Sequence, residues 1–220
     1  YRVLNKKSSR PQQALPFANG TFDSSFPKIA FIFDDLGESL VDLKNIYSLG
    51  IPLTISVIPD LKFSKNIAHI GSRCGFSVFI HLPLEPENDE TYKKAKYEFI
   101  TADLSKREIK SILRKYLNSI RIAIGVNNHM GSKATKDPRL MKSIIKELKA
   151  RNLIFVDSRT SLESVAYQVA KDSELVCGFS QGFLDSIDDV EVMAKRMDEL
   201  VKEAKSNGKI IIIAHPRKNT

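Results

Sequence analysis

Short apolar runs recur along this chain between stretches with helical periodicity, and that alternation restricts the fold more than any other feature. KIAFIF (28–33), LTISVI (53–58), FSVFIH (76–81), RIAIGV (121–126), NLIFV (152–156), ELVCGF (174–179) and KIIIIA (209–214) each have the length and composition of a strand buried on both faces. Between them, 38–50 sets Leu40, Leu43, Ile46 and Leu49 on one helical face and stops at Gly50. A short helical stretch covers about 62–70. A longer helix opens with Ser105 and Glu108 as a capping box and buries Ile109, Ile112, Leu113, Tyr116 and Leu117. Asp137 and Pro138 start a helix over 137–150, Thr160 and Glu163 box one running to Lys171, and Gly208 stops the last. Seven strands with intervening helices predict a parallel α/β sheet with right-handed crossovers, either open and doubly wound or closed into a (β/α) barrel short of eight strands.

A chain of 220 residues suits one such domain. Residues 1–27 are polar and aperiodic with three prolines, and read as an extended arm or linker; the single domain runs from 28 to 220. Residues 84–103 are charged and aperiodic, a long loop or lid. The formal net charge of +8 favours anionic surroundings, but no arginine-rich helix or basic run with interleaved aromatics points to nucleic acid. No apolar run is long enough to span a bilayer. Cys74 and Cys177 lie outside any C-x-x-C pair, which argues against a zinc–thiolate site and leaves two free thiols or one disulfide.

Chemistry collects where the strands end. The first runs into Asp34 and Asp35, the third ends at His81, and the fourth meets Asn127, Asn128 and His129. The fifth gives Asp157 and Arg159, and the seventh His215. In parallel α/β folds the loops at that edge surround one cavity, and catalytic residues gather there. Taken singly, an Asp-Asp pair can cap a helix and a histidine can be a hydrogen-bonded core residue. Taken together, Asp, His and His form a ligand set for Zn²⁺ or a similar divalent ion, and the second carboxylate is left to handle protons.

IAFIFDDLG, FIHLPLEP, GVNNHMGS, FVDSRTS and IIIIAHPR, in this order and spacing over residues 28–217, resemble the divergent polysaccharide deacetylase family. The resemblance implies a distorted (β/α) barrel of about seven strands and metal-dependent removal of acetyl groups from N-acetyl sugars. It implies Asp34 as catalytic base, Asp35 and His81 as metal ligands, and His215 as catalytic acid. The parent family's second motif reads His-x-x-x-His, but here the position four after His81 is Glu85. His129 is expected to replace the missing histidine, with Glu85 as a supporting residue or an alternative ligand. Arg159 is expected beside Asp34, and Asn127, Asn128 and Asp157 are expected to face substrate, although Asn127 and Asn128 also suit a plain polar turn. Zn²⁺ is the expected cofactor, and the expected partner is an N-acetylated polysaccharide or peptidoglycan fragment in the cell envelope or periplasm. A catalytically inactive glycan-binding barrel is the alternative. Oligomeric state is open.

Overall fold

A computed structural model describes residues 26–87, 92 and 94–220. The proposed arm at 1–27, apart from its last two residues, therefore lies outside the described residues. Seven parallel strands, β1 (Lys28–Leu36), β2 (Thr54–Val57), β3 (Ser77–Leu84), β4 (Gly125–Met130), β5 (Ile154–Asp157), β6 (Cys177–Phe179) and β7 (Lys209–Ala214), form one sheet in the order β6-β5-β4-β3-β2-β1-β7. The sheet nearly closes on itself. After β6 the chain crosses to β7, where Gln181 N and Leu184 N donate to Ile211 O and Ile213 O, and Ile213 N donates to Gly182 O. A Cβ on Gly178 would lie 2.7 Å from Ile211 Cδ1, so the bare backbone there lets the two edges approach.

Among the described residues six α-helices cover the outside: α1 (Leu40–Tyr47), α2 (Ser64–Arg73), α3 (Lys106–Ser119), α4 (Pro138–Lys149), α5 (Ala166–Asp172) and α6 (Val190–Asn207). The capping box of Ser105 and Glu108 forms as read, and Asp137 accepts from Arg139 N and Leu140 N at the start of α4. Alternation divides the strands. Ile55, Val57, Val78, Ile80, Leu82, Val126 and Phe155 pack outward with the helices in the large core. Ile32, Phe79, Val156 and Ile213 form a separate plug. Glycine at 125 makes room for that plug, since a Cβ there would sit 2.5 Å from the Phe79 ring.

Two elements depart from the sequence reading for physical reasons. The fourth strand is GVNNHM, not RIAIGV; Ile120–Ala123 closes a turn and Ile124 is exposed. An apolar-run criterion misses this strand because its inward side chains line a polar cavity. The helix expected from Thr160 begins only at Ala166, because the Thr160 hydroxyl donates to Met130 O instead of capping. Asp157 does the anchoring there, accepting from Tyr167 N and the Ser164 hydroxyl.

A cavity of about 1100 Å³ opens at the strand starts, lined by Phe26, Ile29, Phe31, Phe179 and Ile211 among others. The titratable cluster lies instead at the C-terminal ends, around a smaller cavity of about 310 Å³.

Candidate metal and catalytic centre

Register brings His81 level with Asn127 and Pro83 level with His129, while Phe33 pairs with Ala214 so that Asp34 and His215 follow side by side. Strict alternation would turn Asp34 inward and Asp35 outward. Between Phe33 and Leu36 the pairing with β2 shifts by a bulge, and Asp35 takes φ 56°. Aspartate enters that left-handed region more readily than most residues, and bulges re-aim side chains. Both carboxylates thus reach one cavity. Gly37 follows at φ 145°, where a Cβ would meet Leu61 Cδ1 at 2.8 Å.

Asp35 Oδ1 lies 2.9 Å from His129 Nδ1 and 3.2 Å from His81 Nε2. These three residues can offer ligand atoms within 4.8 Å of one another, as can the overlapping group Asp34, Asp35 and His215. For a tetrahedral ion with bonds of about 2.0–2.2 Å, neighbouring donors stand roughly 3.3 Å apart. One carboxylate oxygen and two imidazole nitrogens at the observed spacing fit a divalent ion of the zinc type. Burial works to raise the pKa of Asp35, but hydrogen bonds from His129 and His81 outweigh it and hold the carboxylate well below its ordinary range.

Asp34 is 2% exposed, and burial pushes its pKa up to about 6 against the pull of His81, with Asp35 adding to the rise. Its Oδ2 lies 3.4 Å from His81 Nε2 and 3.5 Å from Asn127 Nδ2. Its Oδ1 faces His215 Nε2 at 3.4 Å and is buried without a hydrogen bond among the described residues. Neighbouring carboxylates with opposite displacements can divide acid and base work between them. Asn127 is itself fixed: it accepts from the Ser56 hydroxyl and donates to Ser158 Oγ.

His215 is held by Asp185. Its Nδ1 stands 2.8 Å from Asp185 Oδ1, and its backbone N donates to Asp185 Oδ2 at 2.8 Å. Thr220 donates to the same oxygen, Arg217 donates to Asp185 O, and the Phe183 ring stacks on the imidazole at an interplanar angle of 9°. Burial would lower the pKa of His215, but the Asp185 hydrogen bond, then Asp34 and Asp35, raise it. In return Asp185, despite burial, is drawn down to about 2 chiefly by its bonds to His215.

Other expected residues stand elsewhere. Glu85 is buried with Oε1 on Lys133 Nζ at 2.6 Å and Oε2 on Ala102 N at 2.8 Å; it knits loops together and faces no metal donor. Arg159 places its guanidinium 3.8 Å over the Phe179 ring, and the partner of Asp34 on that side is the neutral Asn127 amide. Asn128 lines the cavity, but its amide binds Ser158 N and Met130 O. Asp157 anchors α5 as described. Both cysteines are free.

Three contributors escaped the sequence reading. Ser56 had a signal, as a polar residue alternating with Ile55 and Val57. Asp185 stands alone in an irregular segment. Tyr97, whose hydroxyl lies 2.9 Å from His129 Nε2, belongs to the charged loop.

Comparison with known proteins gives a family and a shared fold. A family model described as divergent polysaccharide deacetylase matches residues 31–220. An uncharacterized protein of Haemophilus influenzae is 29% identical over 200 residues, covering 91% of this chain and 70% of that protein. The uncharacterized protein YibQ of Escherichia coli is 28% identical over 193 residues, covering 88% of this chain and 60% of YibQ. The crystal structure of an uncharacterized Agrobacterium tumefaciens protein superposes with a TM-score of 0.81 at 19% identity, over 94% of this chain and 82% of that one, and shares the fold.

Proposed function

The chain belongs to the divergent polysaccharide deacetylase family, and on that premise we propose that it hydrolyses the acetamide of an N-acetylated cell-envelope glycan, with a divalent cation, zinc first among them, on Asp35, His81 and His129. The observation that carries this reading is the division between adjacent carboxylates: Asp35 held ionised between two histidines, Asp34 raised to about 6 and facing His215. The bound cation would polarise the carbonyl and make water easier to deprotonate.

The protein's own groups move the protons. Asp34, mainly ionised at neutral pH, takes a proton from the attacking water through Oδ1, the oxygen left without a hydrogen bond. Asn127 steadies the opposite oxygen. His215, whose hold on a proton Asp185 strengthens, gives its Nε2 proton to the nitrogen that leaves as the C–N bond breaks. Water oxygen is then bonded to the acyl carbon, and the products are acetate and an amine. The glycan substrate makes the cell envelope or periplasm the place of work. Because the chain spans only 60% of YibQ, the activity of any longer protein is part of this proposal.

The test is acetate release from N-acetylglucosamine oligomers and peptidoglycan fragments, using protein stripped with chelator and reloaded in turn with Zn²⁺, Co²⁺, Mn²⁺ or Ni²⁺. Release is expected with at least one metal, and loss of turnover on Asp34→Ala or His215→Ala. Glu85 standing where the parent family has a histidine favours one other reading, a barrel that binds glycan without cleaving it. Binding of these glycans with no acetate from any metal would establish that alternative.

A further inference from the structure

We propose that Tyr97 is the positioning residue for His129, and that its hydroxyl changes from donor to acceptor when His129 takes up a metal through Nδ1. The inference rests on the metal reading of the site and adds which ring nitrogen binds and what holds the other. His129 is engaged from both sides: Nδ1 is 2.9 Å from Asp35 Oδ1, and Nε2 is 2.9 Å from the Tyr97 hydroxyl. A neutral imidazole carries one N–H and one bare nitrogen. Facing a carboxylate, Nδ1 carries the hydrogen in the metal-free protein, and Nε2 accepts from Tyr97. Ligation requires Nδ1 to be bare, so the hydrogen must move to Nε2, which then needs an acceptor. A hydroxyl serves both states; a carbonyl or an ammonium serves only one. Nδ1 is also the nitrogen on the Asp35 side, while Nε2 faces the Tyr97 hydroxyl.

The segment carrying Tyr97 is built to hold this contact. The buried Tyr116 hydroxyl accepts from Glu98 N at 2.9 Å and donates to Glu98 O at 2.7 Å. Two residues on, Ile100 N donates to Pro83 O and Ile100 O accepts from Glu85 N, fastening the segment to the end of β3. Glu85 Oε2 then takes Ala102 N. The Tyr97 ring stacks on buried Phe99 with centroids 5.4 Å apart, and Phe99 also touches the His129 ring. Glu85 thereby acts on the metal group indirectly, by bracing the segment that delivers Tyr97. Partners of this kind fix the orientation of a ligating histidine, and their loss costs about 10–100-fold in metal affinity.

The test uses the full chain. Long-range ¹⁵N–¹H NMR of His129 should show Nδ1–H in the metal-free wild type and Nε2–H after zinc is added; this needs no variant. Tyr97→Phe keeps the ring stacking and should weaken zinc, measured by chelator competition, about 10–100-fold, whereas Tyr167→Phe, against Phe179 in the cavity at the strand starts, should not. The proposal is overturned if the metal-free His129 carries its hydrogen on Nε2, or if Tyr97→Phe binds zinc within twofold of wild type. A wild type that binds no zinc, cobalt or nickel refutes the metal reading itself and the exchange with it; intact zinc binding with an unmoved tautomer refutes only the role of Tyr97.

Discussion

Asp34→Asn should make the metal-free protein more stable and abolish turnover of the metal-loaded protein. Asparagine mimics the protonated carboxyl in shape and lacks the charge. The folded protein raises Asp34 from an ordinary 3.8 to about 6, because burial outweighs the attraction of His81. A group raised in this way binds its proton more tightly folded than unfolded. Its contribution to stability is therefore full below 3.8 and lost as pH rises through 6. The displacement is worth about 3 kcal/mol above both values. For a domain of this size each kcal/mol moves Tm by about 2–4 °C, so the variant should melt about 6–12 °C higher at pH 7.5. The advantage should shrink across the window from 6 to 3.8 and vanish near its lower end. Urea unfolding of chelator-treated wild type and variant at half-unit steps from pH 4 to 8 measures this. A variant no more stable than wild type at pH 7.5, or an advantage that persists unchanged at pH 4, would refute the claim that Asp34 is ionised against its environment.

Asp185→Asn should lower the pKa of His215, which Asp185 supports against burial, and so move the alkaline limb of the acetate-release profile to lower pH; NMR titration of the His215 ring checks it separately. Glu85→Gln should cost about 1–3 kcal/mol of stability in urea by disturbing a buried charged contact, yet leave zinc stoichiometry at the wild-type value, because Glu85 faces Lys133 and Ala102. Gly125→Ala should cost about 1–3 kcal/mol by overpacking, since its Cβ would lie 2.5 Å from the Phe79 ring; the urea midpoint reads this.

What the sequence made legible follows from where each residue stands on a strand. Parallel strands in register bring their ends to one rim, so Asp34, Asp35, His81, His129 and His215 could be grouped without coordinates, and the structure draws those five together around one cavity. The bulge that turns Asp35 inward leaves no comparable mark beyond the paired aspartates. The bounds of β4 are not legible from an apolar run, because GVNNHM carries its polar residues inside the strand. Asp185 and Tyr97 reach their histidines through irregular segments whose course is set by tertiary bonds, to β7 in one case and to Tyr116 and β3 in the other. Arg159 likewise follows no simple strand geometry: it adopts φ 53°, and its guanidinium lies over Phe179.

The central claim, that this barrel mouth is a metal centre, is tested most directly by anomalous diffraction at the zinc edge from crystals of the zinc-loaded protein. A single strong peak is expected, with Asp35 Oδ, His81 Nε2 and His129 Nδ1 each about 2.0–2.2 Å away. No peak at the barrel mouth, or one coordinated by Glu85 in place of His129, would contradict it.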